Sequence, residues 1–462
     1  MIHNTRQNGY AALTMTMLVI FASLTVIGGL SFFSLQEVVV NRASVRAIDA
    51  QMIAESGIED AMYRIASGKN IDSSETLETD RGTAAVTVTA AGTTRTIRSE
   101  TTRNGVRQAM EVFLDIAAVA DVAFHFGVQV GDGGLEMANN SSVAGGAYSN
   151  GPITGSNGAT IGGDAFAAGA SAIRSVSVSG NAQAHLIDNA TVGGYASSTT
   201  KIDDTVVAKD AHADELDDAV VNKDAYYNVI DAQSTVLGAR ITPATPPPDL
   251  APLPLPIAQA VIDRWKSDAL AGGECARKSN PDPELGECDL SGNFILSNGG
   301  SARLGTKKIP GNLELDNGST LTLTGTVWVA GKIKLSNNCI VGLDPGYASS
   351  SGVIITDGNL TISNNCIFRG SGDPGSHILV LSDKNAPAEE IMTVDNNSAG
   401  VIYYAAKGWI KFSNNAVAKQ ATGRGIRLDN NASLVYESGL ADTRFTSGPS
   451  GGYDVRYWRE AE

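Results

Sequence analysis

The feature that most constrains this chain is a short unit returning seven times in its second half. A strand with alternating apolar residues runs into Ser or Asp, then Asn, then Asn or Gly, at 294–299, 313–318, 333–338, 360–365, 391–397, 410–415 and 426–431. The first asparagines are Asn298, Asn317, Asn337, Asn364, Asn396, Asn414 and Asn430, advancing by 19, 20, 27, 32, 18 and 16 residues. A unit this short cannot bury a face alone, so the copies must stack. The three shortest steps suit one coil of a parallel β-helix, and the longer ones imply loops or extra strands on one side. Asn tolerates the left-handed corner, and its amide both donates and accepts. Parallel strands about 4.8 Å apart bring such side chains into register, which predicts a structural ladder of buried amides inside the array. A carbohydrate or calcium site explains seven alike corners less well than one repeated structural need.

A second array precedes it. Val143-Ala144-Gly145-Gly146-Ala147-Tyr148 returns as Ile161 to Phe166, Val192 to Ser197, Val207 to His212 and Val221 to Tyr226, with starts 18, 31, 15 and 14 residues apart. This predicts a first β-solenoid array over 128–234 and a second over 274–462. Between them, seven prolines from Pro243 to Pro256 read as a semi-rigid linker. Ile257, Val261, Ile262, Trp265 and Leu270 then mark a short helix ended by Gly272-Gly273, so 235–273 is a linker with a helix. The 50 glycines and 6% aromatic content favour turn-rich β structure over helical bundles. A length of 462 residues requires more than one folding unit.

The net charge of −15 comes with no basic cluster, so a phosphate backbone is repelled and nucleic acid is not an expected partner. The four cysteines form no Cys-x-x-Cys pair, which argues against structural zinc. Cys275 and Cys288 are close enough in sequence for a local disulfide, with two free thiols in a loop as the other reading. Cys339 and Cys366 each follow Asn-Asn; on adjacent rungs their Cα atoms would be close enough for a disulfide, but parallel side-chain directions would strain it, and stacked, buried thiols are the expectation.

From Gln7 to Gln36 no residue is charged, long enough to span a bilayer core, which needs about 20 residues. Arg6 precedes this run and Glu37 follows it, placing the N-terminus in the cytoplasm and the rest of the chain outside. The pattern stays helical beyond the run. Ala47, Ala50, Ala54, Ile58, Ala61 and Ile65 form one stripe, with a stop at Ser67-Gly68. Ile48, Met52 and Ile53 fall off it, so a second face is expected to meet a partner. Three short strands follow, at 84–88, 94–99 and 106–114, the last two joined by Asn104-Gly105, a hairpin signal. They predict a small antiparallel sheet within 69–127.

The polar start ending in Asn8-Gly9, aromatic Tyr10, the uncharged run and Ala54-Glu55-Ser56-Gly57-Ile58-Glu59-Asp60-Ala61 resemble type IV pilin-like proteins, particularly PilX-type minor pilins, over about the first 70 residues. The resemblance implies a leader at 1–9, cleavage between Gly9 and Tyr10 by a prepilin peptidase, and a membrane and pilin helix at 10–68. It also implies packing against other pilin-like subunits. At the fifth mature position major pilins carry Glu, where this chain has Thr14. That departure implies a minor or tip component rather than the repeating shaft.

Some β-helix proteins act on polysaccharides with clustered carboxylates. Here Asp373 and His377 have no second acid at rung spacing, and the five histidines are scattered without triad or metal-ligand spacing. No enzyme, cofactor or metal is expected. The acidic stretch from Asp203 to Asp224 lacks EF-hand spacing. The expectation is a mainly β, membrane-anchored pilin-like surface protein displaying a β-helix for adhesion, with surface glycans as partners beside the membrane. A static anchored surface protein and a carbohydrate-active β-helix enzyme stand as the alternatives.

Overall fold

The computed structural model describes residues 7–66, 73–91, 94–116, 118–122, 124–446, 448 and 453–461. The chain is mainly β: an N-terminal apolar helix, a small antiparallel sheet, then parallel sheets wound into a β-solenoid.

Helix α1, Gln7–Ala66, has 60 residues, about 90 Å at ~1.5 Å per residue. Its Leu13–Leu30 stretch has a mean hydropathy of 2.1 and none of it is buried. Its C-terminal third lies on a sheet formed by β1 (Ser74–Thr79), β2 (Gly82–Ala91), β3 (Thr94–Arg103) and β4 (Val106–Ile116), all antiparallel neighbours. Ile53, Ala54, Ile58, Ala61 and Ile65 meet Val86, Ile97, Val112 and Leu114. Ile53 therefore joins the buried stripe, while Ile48 and Met52 stay exposed. At Gly57 helix and sheet come so close that a Cβ would stand 2.3 Å from Ser99 Oγ. Asn104 and Gly105 both take positive φ at the β3–β4 turn. The expected helix stop at Ser67-Gly68 lies outside the described residues. β1, polar and acidic, gave no strand signal. The sheet's last strand, Tyr453–Glu460, pairs with β4 from the other end of the chain.

β5 (Ala118–Asp121) leads to β6 (Val128–Met137), the first coil. The coils stack into parallel sheets of 23, 9 and 4 strands that enclose the core. One inner row runs Ala302, Leu321, Val341 and Phe368, passes the Gly400 rung, and continues through Ala418, Leu434, Val143, Ile161, Val178, Val192, Val207 and Val221. Membership of that row crosses from one array to the other because β6 is sandwiched between them. On one side it pairs with Gln420–Leu428 and on the other with Ala147–Ser149 and Ile153–Gly155. The two arrays are thus one solenoid, entered in the middle. The first winds from this seam to one end. The second begins at the opposite end, near Phe294, and winds back to the seam.

The Pro-rich stretch makes that order possible, running along the solenoid's side as a strap rather than separating two arrays. Ala244 N donates to Asn228 Oδ1, Asp249 meets His185, Asn150 and Leu253 exchange two hydrogen bonds, and Tyr404 Oη donates to Ile257 O. Ala244 to Ile257 is 13 residues, about 40 Å at ~3.1 Å per residue in an extended polyproline path. The eight rungs it passes measure about 38 Å at ~4.8 Å each. Helix α2, Gln259–Ala271, then adds about 20 Å. Four further rungs, about 19 Å, bring the chain to the start of the second array.

Candidate functional surfaces

The seven predicted asparagines stand in one column, each with φ between 48° and 58°. Nδ2 donates to the preceding Oδ1 from Asn364 to Asn337 at 2.9 Å, Asn396 to Asn364 at 2.8 Å and Asn430 to Asn414 at 3.1 Å. Asn337 and Asn414 instead bond chiefly to Asp316 and Asp395, both at 2.6 Å. Burial raises the Asp316 carboxyl's pKa, but hydrogen bonds from Ser336, Asn337 and Asn317 outweigh it and hold it below the usual range. Asn298 donates to Ser297 at 3.4 Å. The ladder is not interior: these residues are exposed or half-exposed, because a left-handed corner turns the side chain out while the flanking residues fill the core. The column continues across the seam through Asn139, Asn157, Ser175, Asn189, Asp204 and Asp218, all at positive φ.

A second Asx column went unrecognised in the sequence. Asp164 Oδ1 accepts from Asn181 N, Asn181 Oδ1 from Tyr195 N, Asp224 Oδ1 from Ala239 N and Asn293 Oδ1 from Asn312 N, at 2.7 to 2.9 Å. Its signal was the Gly preceding many of these positions. A Cβ at Gly194 would stand 2.4 Å from Asn181 Oδ1, so the side chain of one rung occupies the space a residue in the next must leave open. The acidic stretch is largely absorbed in the same way. Asp210 accepts from Asp224 N, Asp214 accepts from Asn228, and Asp203 and Asp217 pair with Lys201. Among the described residues no group of three His, Cys, Asp or Glu is placed to hold a metal ion.

Both cysteine pairs are disulfides. Cys275–Cys288 closes a loop over the end of the solenoid at Phe294. Cys339–Cys366 links adjacent rungs, with Cα atoms 4.6 Å apart, which corrects the expectation of stacked thiols: neighbouring strands already bring the two backbones within bridging distance.

α2 is held by apolar burial and by charge. Ile262, Trp265 and Ala269 are buried on it. Lys266 bonds to Asp357 and Asp383, and Lys407 also bonds to Asp383 at 2.6 Å. Burial raises the Asp383 carboxyl's pKa, but the two lysines outweigh it and the carboxyl stays below the usual range. His377 is buried, which lowers its pKa, and Asp373 is exposed in the loop before it. Gly9 and Tyr10 lie in the first turn of α1, and Thr14 is exposed on it.

No protein family matches this chain, and no curated protein matches it. Among solved structures it is similar to the competence-associated pilin ComZ from Thermus thermophilus, at 11% identity over 90% of this chain and 97% of that one, with a TM-score of 0.19.

Proposed function

We propose that this chain is a pilin-like, membrane-anchored surface protein, a minor or tip subunit. Its α1 would pack among other pilin-like helices, and its solenoid would be held outside the cell as an adhesive surface. The observation that supports this best is the division of α1: Leu13–Leu30 is wholly unburied, while Ile53 to Ile65 is sealed on a sheet. One continuous helix thus offers an apolar half to lipid or to neighbouring helices and carries a folded body on the other. The chain's return to β4 fixes the solenoid to that body at both of its crossings. On this reading a prepilin peptidase cleaves between Gly9 and Tyr10, and the work of the protein is attachment rather than catalysis, with no cofactor.

Mass spectrometry of the N-terminus tests it. Tyr10 should be the first residue in cells with prepilin peptidase, and Gly9→Phe should stay membrane-bound and unprocessed. An identical N-terminus with and without the peptidase sinks the pilin reading and leaves a static anchored protein.

A further inference from the structure

We propose that the exposed face around Tyr195, Lys209, His212, Lys223 and Tyr226 binds an uncharged polysaccharide. This rests on the reading of the solenoid as an exterior adhesive surface and names what that surface takes.

One outward column of the first array is aromatic in two places. Near the seam the column carries Tyr148 and Phe166 in register, with centroids 6.1 Å apart, and Phe126 from outside the column lies 5.3 Å from Tyr148. There the strap covers the column, and Tyr148 Oη donates to Ala251 O. That cover accounts for the rings. Further on, the same column carries Ser197, His212 and Tyr226 in register, with the last two rings 5.3 Å apart. The strap crosses these rungs too, bonded to Asn228 at one end and His185 at the other, yet both rings stay half-exposed. Beside them Tyr195 is 49% exposed, with Lys209 Nζ 5.0 Å from its ring centre. Packing within the chain leaves this second set partly open to solvent.

The lysines are the other anomaly. Their column is glycine at Gly145, Gly163, Gly180, Gly194 and Gly238, linked rung to rung through the backbone. Lys209 and Lys223 interrupt it on consecutive rungs, and among the described residues neither is ion-paired. Asp210 and Asp224 alternate with them, each using Oδ1 on the backbone. The patch therefore combines flat apolar ring faces with ammonium donors and carboxylate acceptors of balanced charge. An anionic ligand gains little from such balance and is repelled by a chain of net charge −15. A pyranose chain fits: its C–H faces stack on rings while its hydroxyls meet both donors and acceptors. Because the patch repeats over consecutive rungs about 4.8 Å apart, it suits a polymer better than a single sugar.

Affinity electrophoresis of the full chain in detergent tests this, with dextran, laminarin and galactomannan as neutral probes and hyaluronate and single-stranded DNA as charged ones. At least one neutral polymer should retard the protein. Tyr195→Ala and Tyr226→Ala should each weaken binding about tenfold without shifting the melting temperature, and Lys209→Gln should weaken it less. Tyr195→Ala, at an exposed corner, serves if Tyr226→Ala misfolds. Retardation by none of the neutral polymers, equal binding by the tyrosine variants, or binding of only the charged probes overturns the proposal. Surface display, read separately by protease accessibility on cells, can hold while binding fails, which separates this inference from the function it rests on.

Discussion

The two halves of the solenoid share rows, corners and axis, yet they are built to different gauges. In the first, one inner row is alanine throughout: Ala147, Ala165, Ala182, Ala196, Ala211 and Ala225. Continued across the seam, the row becomes Val128, Ala421, Tyr403, Val380, Ile354 and Val327. The first array can then close a coil in as few as 14 residues, and the second takes up to 32. Stacked rungs fix the spacing along the axis and leave the cross-section to side-chain volume. The ends differ too. The second array begins under the Cys275–Cys288 loop. The first ends with Arg240 in register with Ala225, an exposed charge in the last place of the row that discourages another chain from extending the sheet.

The largest test of this contrast lies in the shared inner row. Leu321 and Val207 are both fully buried, but the wide array leaves a larger hole when truncated. Leu321→Ala should cost about 2–5 kcal/mol and Val207→Ala about half that, both read by chemical denaturation. Equal costs would mean that the two halves pack alike. Enlarging the narrow row should also hurt: Ala211→Leu is expected to destabilise by about 1–3 kcal/mol, and an unchanged midpoint would show that its coils can widen.

The strap comes next. Asn150→Ala removes both bonds to Leu253 and should cost about 1–2 kcal/mol, with faster proteolysis in 243–256 as the readout. At the corners, Asn337→Leu should lose about 1–2 kcal/mol, since a branched residue resists the left-handed conformation and Asp316 loses a donor. Asn337→Gly keeps the conformation and should lose less. If the two variants melt together, the amide ladder matters and the corner does not.

The smallest effect concerns charge. Asp218 has its pKa raised, by desolvation first and then by Asp231, Asp217, Asp204 and Asp203. A carboxyl with a raised folded pKa destabilises the fold fully above that folded pKa, and the penalty is lost as the pH falls through it toward the unfolded value. Asp218→Asn should therefore raise the melting temperature at pH 7 and leave it unchanged at pH 3.

Local chemistry in this chain was legible and long-range assembly was not. The Asn-Asn corners, the Asn104-Gly105 hairpin and the apolar stripe of α1 each announce themselves within a few residues. The seam does not, because nothing near Val128 says that its partner is Ala421. The Tyr453–Glu460 strand is as remote from β4. The ladder's exposure was misjudged because Asn repeats mark a corner without saying which way the side chain turns. The prolines read as a semi-rigid linker between units because their regular spacing against the rungs appears only once both arrays are stacked.

That match of lengths limits how the protein can evolve. Solenoids ordinarily lengthen by duplicating a repeat, but here the strap and α2 together measure the whole stack from outside. An extra coil would demand about one or two more residues of strap, acquired at the same time. The chain carries its own ruler, and a lineage that gained or lost a coil should show a matching change in its proline segment or in α2.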